Sequence, residues 1–164
     1  MKRLLPIAIA LAALLQLAAC GDNSCYDNGS SLPLATCYVG RSQQTVTGLT
    51  IMGIGAPGDS LIADSDALDE VYLPLRASVG NTSYVISRWV GAGTPMAQQL
   101  HDTLTLSYEP IIFFHSEECG AMYNFNIHDL SCTTHGIDSV VLLNSLITNS
   151  RTPSLRIHFT DFTQ

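Results

Sequence analysis

Residues 123–128 read YNFNIH, and residues 155–159 read LRIHF. In the first run Tyr123, Phe125 and Ile127 fall on one side of an extended chain, and Asn124, Asn126 and His128 on the other. In the second, Leu155, Ile157 and Phe159 oppose Arg156 and His158. Such period-two alternation marks strands that are wet on one face and buried on the other. Further β-rich runs lie at 45–54, 60–63, 70–76, 83–90, 103–108, 110–116 and 138–144, with the two quoted strands extended to 121–129 and 154–160. Turn residues separate them and helical periodicity is scarce. Eight or nine short strands spaced this way predict an all-β fold, an antiparallel two-sheet sandwich of immunoglobulin-like, Greek-key type. The segment 91–102 reads as an exposed loop, and the single tryptophan, Trp89, as part of the core.

The N-terminus carries a different signal. Met1-Lys2-Arg3 is basic, and Leu4 to Leu17 is apolar apart from Pro6 and Gln16. That run is shorter than the ~20 residues needed to span a hydrocarbon core. A basic start, a short apolar stretch and small residues before a cut define a secretory signal. Leu17-Ala18-Ala19-Cys20 matches the lipobox of bacterial lipoproteins. The match implies cleavage before Cys20 and lipidation of its sulfur and amine, so residues 1–19 stand apart as a signal peptide. Residues 20–24 then form a short lipidated tether, and 25–164 the sandwich domain. The expected location is the bacterial cell envelope, on the periplasmic or surface face of the outer membrane. Several acyl chains hold a protein much more firmly than one.

The mature chain of 145 residues is long enough for one core. It keeps five arginines, no lysine and all 14 acids, a formal charge of −9. Such a polyanion is repelled by nucleic acid and by anionic lipid headgroups, so neither is an expected electrostatic partner.

Without Cys20 the cysteines number four: Cys25, Cys37, Cys119 and Cys132. An even count in an exported chain reads as two disulfides. Their spacing lacks a metal-binding pattern, and neither a metal nor a cofactor is expected. A disulfide needs Cα atoms within ~7 Å. Cys119 and Cys132 bracket an extended strand some 27–30 Å long at ~3.3 Å per residue. That pairing is excluded. Cys25–Cys119 with Cys37–Cys132, and Cys25–Cys132 with Cys37–Cys119, both stay open.

Other motifs read mostly as structure. "GIGAPG" (53–58) spells a dinucleotide fingerprint, but Asp59-Ser60-Leu61-Ile62 continues as a strand where a helix would be required. A turn accounts for its glycines. Asp59, Asp64, Asp66, Asp69 and Glu70 form an acidic cluster without EF-hand spacing, a solvated loop before it is a calcium site. The five histidines, His101, His115, His128, His135 and His158, show no catalytic spacing. His115 and Glu117 alone could share a strand face, whereas His128 and Asp129 point apart. The triplets Asp59-Ser60-Leu61, Asp102-Thr103-Leu104 and Asp138-Ser139-Val140 read as strand-opening turns. They also resemble the D-[S/T]-apolar O-glycosylation site of Bacteroides-type bacteria, making Ser60, Thr103 and Ser139 candidate glycan sites.

"LTIMGIG", "LPL" at 73–75, "DTLTLSY", "ECG" at 118–120, "IDSV" and "LRIHF" follow one another in this order. Together they resemble a domain-of-unknown-function family of small lipoproteins of Bacteroides-type bacteria, over roughly 20–160. The resemblance implies an envelope lipoprotein with a β-sandwich domain and transfers no catalytic residue. It also implies that Cys25 and Cys119 belong together as the family's pair, which favours Cys37–Cys132 as the second bridge. The expected function is a non-enzymatic binding or assembly module. It would be held at the membrane through its N-terminal lipid and would contact another envelope protein or a glycan. The alternatives are an envelope hydrolase using His115 and Glu117, and a calcium- or glycan-binding module.

Overall fold

The computed structural model describes residues 31–117 and 120–162, except for the side chains of Asp59, His115 and Ser116. Eleven strands make two sheets. They are β1 (Leu34–Val39), β2 (Ser42–Gln43), β3 (Val46–Gly53), β4 (Leu61–Leu68), β5 (Glu70–Tyr72) and β6 (Asn81–Val90). Then come β7 (Gln98–Ser116), β8 (Gly120–Cys132), β9 (Ile137–Leu142), β10 (Leu146–Ile147) and β11 (Pro153–Phe159). The larger sheet runs β10-β8-β7-β6-β3-β4, antiparallel throughout. The smaller runs β2-β1-β11-β9, with β5 also on β1. Its single parallel pairing joins β1 to β11. The expected all-β sandwich is the architecture observed.

The two anticipated alternating strands lie in different sheets and feed one core. Phe125 and Ile127 of β8 are buried with Leu155, Ile157 and Phe159 of β11. Leu49, Ile51, Tyr84, Ile86, Leu104, Leu106 and Tyr108 complete the larger sheet's inner face. Each such apolar side chain contributes roughly 1.5–3 kcal/mol relative to exposure.

Four expectations need correction. β1 was not anticipated, because Leu34, Ala35, Thr36 and Cys37 are buried in succession and so do not alternate. The segment 91–102 is a loop only to Ala97: β7 begins at Gln98, and Asp102 is 2% exposed. Runs 103–108 and 110–116 are parts of that one strand, which carries Pro110 without a break. Proline is tolerated there because β6 pairs with β7 no further than Ser107, leaving Pro110 on an edge where no N–H is needed. Trp89 is 49% exposed and not core. Along β6 the inward positions are Thr82, Tyr84, Ile86 and Val90, so Trp89 falls on the outer face, beside Gly48.

Beyond Pro110 the larger sheet thins to two strands. Ile111 pairs with Asn124, Ile112 with Tyr123, Phe113 with Met122 and Phe114 with Ala121. β10 reaches β8 only at Phe125 and Asn126. Among the described residues, this hairpin arm (110–116 and 120–124) has both edges unpaired by other strands.

Candidate functional site

Three places carry more chemistry than packing requires: a buried carboxylate, a cavity beside the glycine-rich turn, and the arm. The carboxylate is Asp102. Alternation along β7 turns it inward with Leu104 and Leu106, at the end of the core where the β8–β9 connection crosses. Its Oδ1 accepts hydrogen bonds from the Thr133 hydroxyl (2.8 Å) and the His135 N–H (2.7 Å), with His135 Nδ1 at 3.1 Å. Its Oδ2 accepts from the N–H groups of Gly136 (2.7 Å) and Ile137 (2.9 Å). Burial pushes the carboxyl pKa up. The backbone and side-chain donors outweigh burial, and the net direction is below the ordinary value.

A buried aspartate holding an exposed histidine is two-thirds of a hydrolytic triad. A second fragment lies close in sequence: Ser87 Oγ sits 2.7 Å from His101 Nδ1 on the outer face of the same sheet. The fragments do not combine, because neighbours 101 and 102 point to opposite faces of β7. Thr133 spends its proton on Asp102 itself. The Asp102–His135 pair joins residues 33 positions apart and was invisible to a search for neighbouring acids and histidines.

The other candidates are placed as follows. His115 lies outside the described side chains, and Glu117 is exposed in the arm's turn. Of the acidic cluster, Glu70 pairs with Arg151, and the Asp66 carboxylate accepts from the Asp64 N–H. Among the described residues no group of three or more ligating side chains is placed to hold a metal. "GIGAPG" forms a turn with a short 3-10 segment at Pro57–Asp59 that leads into β4. Ser60 and Ser139 are exposed, Ser139 on the edge strand β9. Thr103 is half-buried inside β7, so its triplet is not a turn, contrary to expectation.

Cys20, Cys25 and Cys119 lie outside the described residues. Cys37 and Cys132 are free thiols, so neither expected connectivity forms as a set of two bridges. Cys37 is enclosed in the core from β1, and Cys132 Sγ donates to the Thr133 carbonyl at the end of β8. Burial, then Asp69, pushes the Cys37 thiol up to about 12. Burial, then Asp102, pushes Cys132 up to about 11. Both groups therefore stay protonated at pH 8, and alkylation of the native protein should run roughly a hundred- to a thousandfold slower than of the unfolded chain. Mass spectrometry of iodoacetamide adducts, native against denatured, measures this. Rapid native labelling at either position would contradict the burial argument.

The cavity measures about 190 Å³ and lies between the turn 53–57, β4 and the β5–β6 connection. Ile54, Pro57, Ile62, Leu75 and Tyr84 give it apolar walls, and Arg76 is its charged member. The arm displays Ile111 (40% exposed), Ile112 (65%), Phe114 (67%) and Tyr123 (40%). Large apolar side chains grouped this way mark a contact surface.

Residues 48–159 match the profile of a family described as Family of unknown function (DUF6452). No curated protein and no solved structure gives a significant match. The matched stretch covers more than half of the chain, from within β3 to the end of β11, and the protein belongs to this family.

Proposed function

We propose that this DUF6452 protein is a non-enzymatic assembly module of the bacterial cell envelope, lipidated at Cys20, whose β7–β8 arm docks on an extended segment of another envelope protein. The observation that carries this reading is the arm. A two-stranded ribbon is marginally stable alone, and apolar side chains on it call for a partner. Among the described residues no further strand pairs with the arm, so an added strand could extend it, and Ile112, Phe114 and Tyr123 offer side-chain contacts. Glu109 and Glu117 are exposed on the arm. With the overall negative charge, they favour a strand carrying Lys or Arg between its apolar residues. They disfavour insertion into an anionic bilayer.

The cysteines support a short tether. With Cys37 and Cys132 free, the bridge left to the mature chain is Cys25–Cys119. Ser31, six positions after Cys25, donates its hydroxyl to Asn124, five positions after Cys119 (2.8 Å). Such a bridge would fix the domain within ~18 Å of the lipidated residue, at ~3.6 Å per step.

Photo-crosslinking in the native host tests the arm. A crosslinking amino acid at position 112 or 114 should trap one envelope protein. The double variant Ile112→Ser/Phe114→Ser should reduce its co-purification about tenfold or more while changing stability by less than ~1 kcal/mol, since both side chains are exposed. If the partner co-purifies equally with this variant, the arm is not the docking site. The O-glycan sites and the hydrolase reading have no observation of comparable weight.

A further inference from the structure

We infer that the cavity beside the 53–58 turn is a binding site for a small apolar carboxylate, with Arg76 as its anion receptor. This reading is independent of the arm. Arg76 is held in place with unusual care. Tyr108 Oη accepts from the Arg76 N–H (2.9 Å) and donates to the Arg76 carbonyl (2.9 Å), and Thr82 Oγ1 lies 2.6 Å from Tyr108 Oη. Two residues earlier, the Pro74 carbonyl accepts from Tyr84 Oη at 2.6 Å. Two core tyrosines thus pin the segment from Pro74 to Arg76 against the larger sheet.

Among the described residues the guanidinium they position meets no counter-charge, only the Tyr84 ring of the cavity wall. Among the described residues the Arg76 side chain makes no ion pair and no hydrogen bond, and its Nε is buried without a partner. Arg88 and Arg156 also bury an Nε without a partner, but Arg88 donates to the Thr160 carbonyl and Arg156 lies over the Tyr38 ring, while Arg151 pairs with Glu70. The turn leaves room for the guanidinium. Gly55 adopts a left-handed φ of 73°, and a Cβ there would lie 3.4 Å from Arg76 Nη1. The glycine-rich turn therefore has a second use, as the open side of a guanidinium pocket.

The ligand class follows from the walls. Apolar cavities of ~150 Å³ accept benzene, so 190 Å³ suffices for a ring or short alkyl chain. A guanidinium pairs with a carboxylate through two parallel N–H···O bonds. A phosphate dianion would call for more donors than one arginine with Thr82 and Ser60 nearby.

Benzoate and its neutral analogue benzyl alcohol test the site by NMR titration of the full mature protein. Benzoate should saturate and shift the amides of Ile54, Ile62 and Tyr84, at least about tenfold more tightly than benzyl alcohol. Arg76→Gln should erase that preference while leaving benzyl alcohol binding unchanged, and Arg76→Lys should restore part of it. Ile54→Trp, an exposed position at the cavity wall, should block both ligands without burdening the fold and keeps the test decisive if the Arg76 variants fold poorly. Equal affinity for the two ligands, a preference that survives Arg76→Gln, binding untouched by Ile54→Trp, or no saturable benzoate shift would each overturn the assignment.

Discussion

Asp102→Asn is expected to cost about 3–5 kcal/mol of stability, the largest loss from any single polar side chain in the fold. The carboxylate accepts from three backbone N–H groups, one hydroxyl and one ring nitrogen. Asparagine keeps the shape but replaces one acceptor oxygen with an NH₂ donor. At Oδ1 that donor would meet the Thr133 and His135 donors, and at Oδ2 the N–H groups of Gly136 and Ile137. The affected N–H groups lose their acceptor in a site from which water is excluded. The β8–β9 connection is then no longer tied to β7, and the transition temperature should fall by roughly 10 °C. His135→Ala removes one contact made by an exposed ring and should cost less than ~1 kcal/mol. The pH dependence has a definite sign. Because the folded carboxyl titrates below its unfolded value, its contribution is fully present above the unfolded pKa of ~3.9. It is lost as the pH falls through the folded pKa. Urea unfolding of both proteins at pH 7 and at low pH reads this directly: the gap should be wide at pH 7 and shrink on acidification. A gap that stays constant or widens on acidification would mean that the charged form of Asp102 is not what stabilises the connection.

This carboxylate also marks the boundary of what could be read from the chain. Strands with one wet face were legible, since Phe125, Ile127, Leu155, Ile157 and Phe159 alternate with polar residues and are buried as expected. β1 was not, because Leu34 to Cys37 are all buried and leave no alternation. Asp102 stands next to a Gly- and Pro-containing stretch and was read as a turn residue. Its role depends on the β8–β9 connection, some 30 positions later, crossing the start of β7. The same holds for Arg76 and Gly55. The glycines announced a turn, but nothing local announced that a guanidinium from beyond β5 would rest against it. Trp89 shows that a residue's hydrophobicity can mislead where strand parity decides the side. Of the arm, only the β-rich run 110–116 was legible. Its exposure was not, because that depends on where β6 and β10 stop pairing.

Cys20→Ala is expected to move the protein from the membrane fraction entirely to a soluble one, given the proposed lipidation. The size of this effect follows from the lack, among the described residues, of a second anchor of comparable strength. No helix among the described residues is long and apolar enough to cross a membrane. Residues 20–164 carry a formal charge of −9 and no lysine, so anionic headgroups repel them. Each buried acyl CH₂ contributes about 0.8 kcal/mol, and one chain binds only marginally, so on the proposed lipidation several chains would supply the attachment. Among the described residues the arm is the competing anchor, with Ile112 and Phe114 exposed beside acidic residues. Fractionation of cells carrying Cys20→Ala, alone and with Ile112→Ser/Phe114→Ser, separates the two. Release by Cys20→Ala alone leaves the arm free for a protein partner. Retention of Cys20→Ala that is abolished by the arm substitutions would instead make the arm a membrane-inserting element, and would overturn its assignment to strand addition.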